Sequence, residues 1–223
     1  MKTNTLILSI LTIVFVGCGP QTKRPAENSV ETIQTEENSF DTDPIASVDT
    51  LDDTSTINQF DQTGLIKNKR IEQYLADDKI PHRFKELVKT GGKSLTDNCE
   101  ALNDSLFSRD SQRHPFYFWL FTQTIRIADG AVTEPMGISA KNYVENETET
   151  FLSYFIGDNS LTSSDFYNWV TLIAGEIAIS AESSERQEID NLLRTIRRNC
   201  TDCPQNYIEL IDRFELEIMK YSP

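Results

Sequence analysis

The chain has 223 residues, 38% of them hydrophobic, and its 35 acidic and 21 basic residues give a formal net charge of −14. That acidic balance, with no basic stripe, excludes nucleic acid as an expected partner. The two histidines and four cysteines form no zinc spacing, and HExxH, GxSxG, phosphate-loop and dinucleotide fingerprints are missing, so no metal, cofactor or standard catalyst is expected.

The first element is a short apolar run, Leu6 to Gly17, preceded by Lys2 and followed by Cys18-Gly19-Pro20. As a helix it would extend about 18 Å, short of the roughly 30 Å hydrocarbon layer, so it reads as an export signal over residues 1–17 and not as a membrane span. Phe15-Val16-Gly17-Cys18 resembles the lipobox of bacterial lipoprotein signal peptides, with Phe15 where that family usually carries Leu. The resemblance implies cleavage before Cys18 and acylation of Cys18, hence membrane lipid as a partner and a cell-envelope location. Gly19, where enteric bacteria read Asp as an inner-membrane retention signal, implies the outer membrane.

Residues 18–64 follow as an expected tether. From Gly19 to Gly64 there are ten acidic and two basic residues, and the sparse apolar ones lack sustained periodicity. Such a stretch buries too little surface to offset its ordering entropy, and as a random coil it would reach about 40 Å. Thr56 to Gly64, TINQFDQTG, is its one candidate docking motif.

Residues 65–223 read as a single all-α globular domain of about six or seven helices. The spacing predicts helices over Lys67–Ala76, Pro81–Val88 and Leu95–Phe107. Pro115 opens the apolar string PFYFWLFTQTIRIADG, which Asp129-Gly130 ends. A helix near Pro135–Glu145 continues or restarts toward Phe151, Leu152 and Phe155. Ser163 or Ser164 is expected to cap FYNWVTLIAGEIAIS. Ser184 with Gln187 gives a capping-box pattern for the next helix, and Pro204 begins the last. Phe116–Ala128 and Phe166–Ile179 are apolar on nearly every side, which predicts two central helices with amphipathic neighbours around them.

Arg126 and Glu176 interrupt those two segments, so they are expected to form a buried ion pair or to line a pocket. With Asp129 and Glu134 they are the only group suited to an Arg/carboxylate enzyme site. Cys99, Cys200 and Cys203 are candidates for a disulfide in an oxidising compartment, with the pairing open. The CxxC of Cys200 and Cys203 invites a redox reading, but Cys200 follows a helix C-terminus, a poor place for a thiolate. His82 and His114 each precede or follow a proline at a helix start and read as surface or capping residues. The aromatic string reads as core, or as a partner surface if one edge is exposed. The leading expectation is a non-enzymatic protein-binding or scaffold domain for another envelope protein. A small-ligand or cell-wall-binding module, or an enzyme with that Arg/carboxylate site, is the alternative.

Overall fold

The computed structural model describes residues 60, 62, 64–157, 161–181 and 184–221. Cys18, the signal segment 1–17 and nearly all of the expected tether lie outside the described residues.

Phe60 opens the described chain, and it is buried at 2% exposure with its ring 6.3 Å from that of Trp119. The folded unit therefore reaches back before the expected Leu65 boundary. The aromatic residue of TINQFDQTG packs into its own domain. Next comes a minimal hairpin, β1 (Leu65–Ile66) and β2 (Lys69–Arg70), antiparallel with Leu65 opposite Arg70. Lys67 and Asn68 form its two-residue turn at φ 48° and 63°, the left-handed pair that such hairpins require. This corrects the helix expected over Lys67–Ala76. Left-handed residues cannot start a right-handed helix, so α1 is confined to Ile71–Leu75.

Eight further α-helices are present among the described residues: α2 (His82–Lys89), α3 (Leu95–Leu106), α4 (His114–Ile125), α5 (Gly130–Asn146), α6 (Thr148–Ser153), α7 (Ser163–Ser180), α8 (Glu185–Asn199) and α9 (Gln205–Ile218), followed by a 3-10 turn at Met219–Tyr221. The domain is all-α, and its nine α-helices replace the six or seven expected. The segments read as helical already number eight, or nine where the Pro135 helix restarts toward Phe151, and the break at Glu147 that separates α5 from α6 is that restart. α5 runs through Pro135 instead of starting there, with Asp129 as its N-cap residue. The backbone carbonyl of Asp129 accepts from Val132 and Thr133 and sets the first turn.

α4 is buried at every position from His114 to Thr124, as its apolar run requires. It packs against α3 and α7, while α5 packs on both α3 and α7, and α8 and α9 close over α7. Phe118 sits between Trp169 and Tyr154, stacked on the first at 5.1 Å and on the second at 3.9 Å. Trp169 satisfies its one donor by an Nε1–H bond to Thr122 Oγ1 at 3.0 Å. α7 is capped by Thr162, one residue ahead of the serines expected. Ser184 caps α8 and accepts from the Gln187 amide at 3.1 Å. No helix among the described residues is long and apolar enough to cross a membrane.

Candidate functional site

Arg126 and Glu176 do not pair. Arg126 donates from Nε and Nη2 to Asp165 Oδ1, at 3.0 and 2.6 Å. Asp165 is fully buried, and its second oxygen accepts from the Thr162 amide and hydroxyl. One carboxylate thus closes the N-terminus of α7 and anchors the C-terminus of α4. A charge that meets a fixed counter-charge and backbone donors loses less on burial than one meeting another side chain alone. Asp165 stands directly before the apolar segment that opens at Phe166, so the sequence pattern alone does not single it out.

Glu176 lies elsewhere, on the face of α7 that meets α5, and is 8% exposed. Its Oε2 is buried without a hydrogen-bond partner. Burial pushes its carboxyl above the ordinary glutamate range; Glu134 adds to the shift, while Ser180 and Lys141 oppose it. Gly137 of α5 is what lets the helices approach there, since a Cβ would come within 2.9 Å of Glu176 Cβ and 3.4 Å of the Leu172 carbonyl. Glu134 and Asp129 are both exposed, and Asp129 serves as the α5 cap residue. The nominated Arg/carboxylate group is therefore divided between two places.

Cys200 and Cys203 form the disulfide, with their Cα atoms 5.0 Å apart across the turn between α8 and α9. Cys99 is buried in α3 and outside that bridge, with Sγ 3.7 Å from Asn103 Nδ2. Among the described residues no group of three or more His, Cys, Asp or Glu side chains gathers as a metal site.

A cavity of about 370 Å³ opens where the α3–α4 loop meets the α5–α6 corner. Its lining includes His114, Tyr143, Tyr154, Phe107, Arg109 and Lys67. His114, expected at the surface, is the first residue of α4 and is 9% exposed. Only His82 is on the surface, 3.7 Å from Glu86. His114 Nε2 lies 2.9 Å from the Leu106 carbonyl and 3.2 Å from Tyr143 Oη, and Nδ1 lies 2.7 Å from Tyr154 Oη. A carbonyl only accepts, so Nε2 carries the proton. Nδ1 then accepts from the Tyr154 hydroxyl. Burial holds this imidazole below the usual histidine range, in spite of the Leu106 carbonyl, and so keeps it neutral. Burial likewise pushes the Tyr143 and Tyr154 phenols up and keeps both protonated.

The rest of the wall is brought in from far along the chain. Lys67, at the left-handed hairpin turn, donates from Nζ to the Ser153 carbonyl and hydroxyl, each at 2.9 Å. Its ammonium sits 4.8 Å from the centre of the Tyr154 ring. Arg109, whose side chain is 87% exposed, bonds Glu147 at 2.9 Å across the mouth. Phe107 stands edge-on to Tyr143 at 5.7 Å and is 39% exposed. Sequence reasoning missed this site because all of its pairings but His114–Leu106, 8 residues apart, join residues 29 to 86 apart. The one local hint was a histidine directly ahead of an apolar helix. A scan of protein-family models, a search of curated proteins and a search of solved structures each return no match for this chain.

Proposed function

We propose that the chain is a lipid-anchored cell-envelope protein, on the outer membrane, whose helical domain is a non-enzymatic binding module with the α3–α6 cavity as its site. One observation carries the binding half of this reading: a cavity of about 370 Å³ walled by buried, mutually bonded polar groups. That volume falls within the roughly 300–1,000 Å³ of small-molecule sites, which pair an apolar wall with a few fixed polar groups. The same hydrogen bonds favour binding over catalysis. A general base needs a free lone pair facing its substrate, and both ring nitrogens of His114 are committed to the protein.

The anchoring half rests on Phe15-Val16-Gly17-Cys18. Acyl chains on Cys18 would hold the protein at the membrane, each buried CH₂ contributing about 0.8 kcal/mol. A protein partner is the second reading, favoured by the exposed edge of Phe107 at the cavity mouth.

Two measurements test the proposal. Labelled palmitate should enter the wild-type protein and not Cys18→Ser, which should also leave the membrane fraction; label retained in Cys18→Ser defeats the anchor. Native mass spectrometry of the protein recovered from its own envelope should show a bound small molecule that Phe107→Trp, which fills the mouth, excludes. A photo-crosslinker placed at Phe107 that captures one envelope protein, with no small molecule retained, would transfer the site to the second reading.

A further inference from the structure

We infer that the cavity between α3 and α6 takes a small organic anion: an apolar or aromatic body carrying one carboxylate, seated with its acceptor oxygens on Tyr143 and Arg109. The inference rests on the binding-module reading and adds the class of ligand.

The first observation is a hydrogen atom with nowhere to go. Tyr143 is 1% exposed and lines the cavity, and its Oη faces His114 Nε2. That nitrogen is already the donor to Leu106, so the tyrosine oxygen can only accept there. Tyr154 spends its own proton on Nδ1. The Tyr143 O–H is left as a donor without an acceptor among the described residues, on the wall of a cavity. A buried donor of this kind is costly to leave unmet, so it selects an acceptor.

The second observation is charge. The lining holds two cationic side chains, Lys67 and Arg109, against one carboxylate, Glu147. It is a positive spot on a chain of net charge −14. Arg109 gives one N–H bond to Glu147 and keeps the rest of its planar fork for a carboxylate. The third is strain. Lysine is a poor residue for a left-handed turn position, which Asn or Gly fills more cheaply, and strained positions gather at sites that need them. Here that turn delivers an ammonium to the cavity wall. Of the remaining lining, Phe107 presents an exposed ring suited to a flat apolar body, while Leu106, Pro115 and Tyr143 are buried.

The test uses the full-length chain in detergent micelles and ligand-observed fluorine NMR. The probes are 4-fluorobenzoate, neutral 4-fluorobenzamide and cationic 4-fluorobenzamidine, with empty micelles subtracted. The benzoate should show saturable broadening, with the amide about tenfold weaker and the amidine not saturable, in keeping with a charge-assisted bond. Tyr143→Phe should weaken the benzoate about tenfold while keeping the ring in place, because it removes only the hydroxyl. Arg109→Glu, on an exposed side chain, should abolish the preference for the benzoate and admit the amidine. Equal binding of benzoate and amide, or benzoate binding unchanged in both variants, overturns the anion assignment and leaves the binding module standing. Absence of saturable binding by all three probes, together with no small molecule on the envelope-derived protein, overturns both.

Discussion

Glu176 is a nearly buried carboxyl with one oxygen unmet. An unfolded glutamate titrates near 4.5, and in the fold burial raises that value. Between the two values the folded state binds more protons than the unfolded state. The contribution of Glu176 to stability is therefore greatest below pH 4.5 and falls as pH rises through the raised value. Glu176→Gln should flatten this fall, matching the wild type at low pH and exceeding it at neutral pH. Urea unfolding from pH 4 to 8 reads the difference, and parallel profiles for the two proteins would refute it. The sequence did identify Glu176 and Arg126 as charges inside apolar segments. It could not match them to partners, because Arg126 finds Asp165 39 residues away through a contact that only the packing of α4 on α7 creates. His114 was harder still. Its three partners come from the end of α3, from α5 and from the end of α6, and the apolar run that follows it in the chain does not name them.

Among the elements, α7 depends most on one residue. Asp165 closes a capping box with Thr162 and also receives Arg126, so two helix ends share a single carboxylate. Asp165→Ala should cost about 3 kcal/mol, near the lower end for a broken buried pair, since the side chain of Arg126 is 35% exposed and can turn to water. Thr162→Ala removes only the capping half and should cost about 1 kcal/mol. Equal losses in chemical denaturation would mean that the ion pair adds nothing. Helices with long apolar runs or strong amphipathic faces were legible: α4, α7, α8 and α9 stand close to where periodicity and caps put them. So was the short α2, while the hairpin ahead of α1 was not. The residues in phase, Ile71, Tyr74 and Leu75, were identified correctly, yet Lys67 and Asn68 ahead of them turn left-handed, and periodicity carries no information about the sign of φ.

For the molecule as a whole, the boundary of the fold is its most informative departure from expectation. Composition divides the chain at Leu65, because charge density and sparse apolar residues make the preceding stretch look unable to fold. A single aromatic residue overrides that average. Phe60 finds a place beside Trp119, and its burial needs no periodic pattern around it. Phe60→Ala should destabilise the domain by about 3–5 kcal/mol, as for other buried aromatic truncations. A change in thermal midpoint no greater than that of a surface substitution would show that the contact is dispensable.

Only seven positions separate Phe60 from Lys67, and the hairpin turn between β1 and β2 ties Lys67 to Ser153 at the end of α6. A pull on the chain ahead of Phe60 is therefore borne first by one aromatic ring, then by a two-residue ladder, and only afterwards by the helices. Load would fall first on the contact of Phe60 with Trp119 of α4 and next on the ladder that positions Lys67, so extracting Phe60 by force would strain the grip of Lys67 on Ser153.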